Sequence, residues 1–171
     1  SHRWRRMWDV ALFISGAVPV FVFGVALGNC FLGFPFHMDP LFFRQFYTGT
    51  FWQLLSPFAL LAGTVSVLLV LMHGSVYLQR RTEGHLRVLA RKVHIVTAIL
   101  LLIGFTIAGL LLMYHVNGYT LVKSPVDATE HLLKNVVSRD VGAWIASYDI
   151  YPWKYFGPIL AYAGIIESLW A

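Results

Sequence analysis

Charge is scarce in this sequence: Asp, Glu, Lys and Arg make up 12% of 171 residues, against about 25% in a typical soluble domain. With 58% hydrophobic residues and a mean hydropathy of +0.67, the chain cannot cover itself with polar surface in water. Cysteine is nearly missing. Cys30 stands alone, which excludes an intrachain disulfide and any Cys/His zinc spacing. No P-loop, dinucleotide-binding glycine fingerprint, nucleophile elbow or zincin motif occurs, so the chain shows no recognisable catalytic centre. Internal repeats and low-complexity tracts are absent too. The formal net charge of +5 does not indicate nucleic acid, because the basic residues cluster in two short segments that border hydrophobic runs. A signal peptide is not expected: Arg3, Arg5 and Arg6 lead into an apolar run too long for one, with no small-residue cleavage site. The chain starts without Met and stops inside an apolar run, so both ends read as truncations.

What is abundant is long apolar sequence. A bilayer core asks for roughly 20 helical residues at about 1.5 Å each. Four stretches meet or approach this: about 10–32, 51–78, 93–115 and 155–171. Their apolar character is continuous, without the alternation of a β-barrel strand, and lipid cannot satisfy open backbone groups. The expectation is an all-α, polytopic transmembrane helix bundle forming one membrane domain with four spans. Pro19 falls inside the first span and Pro57 near the first turn of the second.

Orientation follows from the distribution of Lys and Arg. Arg3, Arg5 and Arg6 open the chain, and Arg80, Arg81, Arg87, Arg91 and Lys92 crowd the loop at 79–92. Both segments should be cytoplasmic. The 33–50 connection and the long 116–154 connection, with few or balanced charges, should be periplasmic. Within the latter, Leu132–Val137 and Gly142–Ala146 are expected to form a short helix lying on the periplasmic face.

Gly24 and Gly28 are spaced by four, as are Gly104 and Ala108, which lets helix backbones approach closely. Asn29, Gln53 and Thr64 are polar positions suited to bonding between helices or to bordering a quinone head group. Asp9 can pair with Arg5 or Arg6 beside the first span. Glu167 is the one carboxylate well inside a span, about 18 Å beyond Tyr155. Such a group usually faces an interior partner or a hydrated path, which makes it a candidate for proton handling.

Seven histidines raise the question of haem, whose axial ligands commonly come from facing helices. His94 and His115 are 21 positions apart on one helix, about 31 Å, and so lie at opposite interfaces. Only His73 and His94 share a leaflet, and His94 is read as part of the adjoining basic loop. His2, His37, His85 and His131 read as loop or interfacial residues.

An ordered series of segments carries a family resemblance. Arg3-Trp4-Arg5-Arg6-Met7-Trp8-Asp9 precedes Gly24-Val25-Ala26-Leu27-Gly28-Asn29. Next come Gly33-Phe34-Pro35-Phe36, Tyr47-Thr48-Gly49-Thr50-Phe51 and Gln53-Leu54-Leu55-Ser56-Pro57-Phe58. Leu60-Leu61-Ala62-Gly63, His73-Gly74-Ser75-Val76-Tyr77-Leu78-Gln79, Arg81-Thr82-Glu83-Gly84, Asn117-Gly118-Tyr119 and Gly142-Ala143-Trp144 follow. The series resembles subunit II of cytochrome bd-type and cyanide-insensitive quinol oxidases. That resemblance implies a subunit of a bacterial inner-membrane enzyme that oxidises quinol and reduces dioxygen to water. It implies that haems b and d sit on a partner, subunit I, and that this chain binds none. A structural quinone and a small third subunit are also implied. Arg5, Asp9, Gly24, Gly28, Asn29, Gln53 and Gly63 are then the candidates for structural or partner contact, and Glu167 and His73 for proton traffic. The rival readings are a secondary transporter, which would need polar midplane sites in matched halves, and a cytochrome b binding its own haem.

Overall fold

The computed structural model of the chain describes residues 2–39, 42, 44–123 and 136–170. Three long helices dominate it: α1 (His2–Leu32), α2 (Pro57–Arg81) and α3 (His85–Tyr114). All three are long and apolar enough to cross a membrane. A shorter helix, α4 (Ala143–Ile150), and a final one, α5 (Phe156–Trp170), complete the helical part. With 15 residues, α5 is about 22 Å long, short of the roughly 30 Å bilayer core. It occupies the place expected for a fourth span without reaching that length.

Local sequence accounts for the helix limits. The second apolar run does not form one helix from Phe51. Phe51–Leu55 is a short 3₁₀ turn, and α2 begins at Pro57, whose missing N–H and fixed φ suit a first helical position. Ser56 caps it, its hydroxyl accepting from the Ala59 N–H at 3.3 Å. At the other end the Thr82 N–H donates to the Leu78 carbonyl at 2.9 Å. Gly84, at φ +65°, then reverses the chain into α3, a conformation L side chains rarely adopt.

The 79–92 segment is therefore mostly helix. Arg80 and Arg81 close α2, while Arg87, Arg91 and Lys92 stand on the first turns of α3.

Packing is sequential: α2 lies against both α1 and α3, and α5 lies on α3. The buried centre is Met72 of α2, Ala98 and Leu101 of α3 and Ile165 of α5. Elsewhere the long helices show large apolar side chains outward, among them Trp8, Phe13, Phe23, Val70, Val96 and Ile103. Such faces require lipid or protein around them.

The connections are not all helical. β1 (Phe36–Met38) pairs antiparallel with β2 (Gln45–Tyr47), and β3 (Asn117–Lys123) with β4 (Val136–Val141). These ribbons amend the all-α expectation: a chain returning to the bundle must pair its own backbone groups, and a hairpin does so locally. The helix expected over Leu132–Val137 is corrected at its last two residues only. Residues 132–135 lie outside the described residues, and Val136 and Val137 are in β4, consistent with the strand preference of β-branched side chains. The Gly142–Ala146 expectation falls within α4, which follows Gly142 at φ +86°.

Candidate functional site

The α1–α2 seam is built on glycine. A Cβ on Gly24 would lie 2.6 Å from the Ser66 Cβ, 2.7 Å from the Gly63 Cα and 2.8 Å from the Ala62 carbonyl oxygen. One on Gly28 would lie 2.8 Å from the Ala59 Cα, and one on Gly63 would meet Phe21 and Val25, each at 2.9 Å. All three predicted glycines thus share one backbone-to-backbone contact, where close approach replaces the hydrophobic drive that lipid removes. Gly104 belongs to α3 and makes a looser contact on the other side of α2, where an added Cβ would lie 3.1 Å from the Val65 Cγ2.

Asn29 closes this seam. It is 5% exposed, and its amide nitrogen donates to the Val25 carbonyl at 2.9 Å and the Leu54 carbonyl at 2.7 Å. The second bond ties α1 to the 3₁₀ turn before α2. Gln53, on that turn, accepts from the Thr50 N–H at 3.1 Å through its side-chain oxygen. Thr64 bonds back to the Leu60 carbonyl of its own helix. Asn29 and Gln53 also line a cleft of 310 Å³ at this end of the bundle, together with Leu32, Leu54, Tyr119 and Arg139.

His94 overturns its expected place in the basic loop. It is buried at 3% exposure in the α3–α5 contact, with Nε2 2.8 Å from the Ser168 carbonyl oxygen. A carbonyl only accepts, so Nε2 carries the proton and donates. Nδ1 is buried and has no hydrogen-bond partner among the described residues. The Ser168 hydroxyl is also 3.8 Å from the Met72 sulfur, which joins α2 to the same junction. The sequence signal was available: Ala90, His94, Thr97, Ala98 and Leu101 are the buried positions of α3, a three-and-four spacing that marks one helix face.

The other predicted residues are not drawn into these contacts. Arg5 and Asp9 are exposed, and among the described residues no ion pair joins Asp9 to Arg5 or Arg6. Glu167 on α5 and His73 on α2 are exposed as well, so neither carboxylate nor imidazole is enclosed by this chain. His94 has no ring nitrogen open to pair with His73 about an iron, since Nε2 is bonded to Ser168 and Nδ1 is buried. No group of three His, Cys, Asp or Glu side chains suited to a metal occurs among the described residues. The side chains of His37, His73, His85 and His115 are exposed.

Comparison with known proteins decides the affiliation. The family described as cytochrome bd terminal oxidase subunit II matches residues 1–169. The chain belongs to that family. It is 44% identical over 160 residues, 92% of its length, to cytochrome bd-I ubiquinol oxidase subunit 2 of Escherichia coli K12. To the probable cytochrome oxidase subunit 2 of Haemophilus influenzae it is 41% identical, also over 160 residues. Cytochrome bd ubiquinol oxidase subunit 2 of Bacillus subtilis shares 29% over 90 residues, 53% of this chain and 25% of that protein. The chain spans 42% of the length of the Escherichia coli and Haemophilus influenzae relatives. The transporter reading has no support from these matches.

Proposed function

We propose that the chain forms part of a haem-free subunit of a bacterial respiratory quinol:oxygen oxidoreductase. Its apolar helices support a haem-bearing subunit I, which oxidises quinol and reduces dioxygen to water. The observation that carries this reading is the family match over residues 1–169, and the 44% identity to a ubiquinol oxidase subunit 2 supports it.

In this reading the contribution of the chain is mechanical. The glycine seam and the Asn29 bridge make α1 and α2 a rigid pair, and the outward apolar faces cover the partner and keep water from its haems. The surroundings of His94 and His73 support placing the haems b and d on that partner. The enzyme lies in the inner membrane with the start of the chain and the 79–92 segment cytoplasmic, as their Arg and Lys content favours. With α5 counted as part of a fourth crossing, residues 1–171 form one membrane domain. A structural quinone and a small third subunit belong to the same proposal. Glu167 and His73, facing out of the chain, are its candidates for carrying protons.

The test uses the full-length parent, tagged and purified from native membranes in mild detergent. Its reduced-minus-oxidised absorbance spectrum is recorded and the co-purifying proteins identified. Haem signals that depend on a second, larger membrane subunit are expected. A colourless preparation without a partner would sink the proposal, and haem retained by this chain alone would move the cofactor onto it.

A further inference from the structure

The 310 Å³ cleft carries polar groups that the fold itself leaves unused. Asn29 gives its amide protons to two carbonyls, and that pairing identifies the nitrogen and leaves Oδ1 as an acceptor. No described residue donates to it. Gln53 uses its side-chain oxygen on Thr50, so its amide N–H groups are free donors. The Tyr119 hydroxyl has no hydrogen-bond partner among the described residues.

Arg139 adds the charge. Its guanidinium carbon lies 5.7 Å from the centre of the Tyr119 ring, the residue opposite it in the β3–β4 register. No carboxylate pairs with it among the described residues. Asp140 is next in sequence, but successive strand residues face opposite ways, and its carboxylate accepts from the Ser138 hydroxyl at 2.8 Å. The cleft therefore offers one cation without a described counter-ion, several donors and one acceptor on a largely buried side chain.

Position supplies the rest. Asn29 and Leu32 are in the last turn of α1, and Gln53 and Leu54 stand just before α2. Two membrane-length helices thus have their ends here, the level at which headgroups meet the hydrocarbon. Leu32 and Leu54 give the cleft an apolar side.

We propose that this cleft holds the headgroup of a membrane phospholipid. Arg139 takes the phosphate, which matches a guanidinium in charge and in its paired oxygens. Gln53 and Tyr119 donate to the phosphate or ester oxygens. Asn29 Oδ1 accepts from a headgroup ammonium or hydroxyl. A quinone ring has no charge to answer Arg139, so the observations favour the phosphodiester. The inference does not rest on the oxidase reading.

The experiment takes the tagged full-length parent with whatever proteins accompany it. The sample is washed in mild detergent, and native mass spectrometry counts the phospholipid retained per complex. Quinone is extracted and quantified from the same samples. Arg139→Gln is expected to lower the retained phospholipid by one per complex, while Arg139→Lys keeps most of it and Tyr119→Phe loses it a few-fold faster. Vesicles of phosphatidylglycerol and phosphatidylethanolamine should restore the count in the unmodified protein and not in Arg139→Gln. Equal phospholipid retention in all four proteins overturns the proposal. So does loss of quinone in place of phospholipid, or a bound mass of free phosphate. Should Arg139→Gln fail to assemble, Arg139→Lys and Tyr119→Phe decide by the rate of lipid loss, and unchanged rates in both overturn the proposal.

Discussion

Gly24 of α1 lies so close to Gly63 of α2 that a methyl group added to Gly24 would sit 2.7 Å from the Gly63 Cα. Backbone occupies the space on both sides, so no side-chain rotation relieves the overlap. The two helices are held at a separation that only glycine permits.

Gly24→Ala should therefore force α1 away from α2, at a cost of about 1–3 kcal/mol. Gly16→Ala is the control, because nothing lies within 4 Å of its added Cβ. Thermal stability and yield of the purified parent protein should fall for the first and hold for the second. Equal behaviour of the two would mean that the seam contributes nothing to assembly.

Asn29→Leu is expected to destabilise by about 1–2 kcal/mol, the upper range for a polar bond in a membrane protein. It removes the 2.7 Å bond to the Leu54 carbonyl and leaves that acceptor without its partner. Asn29→Asp should be no better, since a carboxylate would face two carbonyl oxygens. Denaturation midpoints of the detergent-solubilised protein compare the three.

His94→Phe separates a structural histidine from a haem ligand. Loss of the 2.8 Å bond to the Ser168 carbonyl should loosen α5, lowering stability by about 1 kcal/mol. The haem content per complex should not change. His73→Ala should alter neither quantity, and a drop in haem absorbance with either variant would reverse the assignment.

Glu167→Gln is expected to leave assembly intact, because the carboxylate is exposed and makes no hydrogen bond to another described residue. Oxygen uptake driven by quinol is the readout for its candidate role in proton traffic. Slower uptake with an intact haem spectrum is the expected result, and unchanged uptake removes Glu167 from that role.

Much of this arrangement was legible before any coordinates. The places of α1, α2 and α3 follow from apolar length, and the importance of Gly24 and Gly28 follows from their spacing. The connections were harder. Val136 and Val137 belong to a strand whose partner, β3, lies at Asn117–Lys123, and pairing across such a gap has no local signature. His94 stands beside the basic Arg91 and Lys92 in the sequence, although its spacing of four from Ala90 and three from Thr97 also places it on the buried face of α3.

The sequence alone decides that this is a membrane-length helical chain, because a backbone that cannot bond to lipid must bond to itself. It decides the seam chemistry as well, since small residues four apart always share a helix face. Only the tertiary structure decides what the polar residues meet. His94 finds Ser168 across 74 positions. Asn29, Gln53, Tyr119 and Arg139 enclose one cleft although they come from four separate elements. Hydrogen bonds and charge act over a few ångströms, so their partners are set by how the helices and ribbons pack rather than by order along the chain.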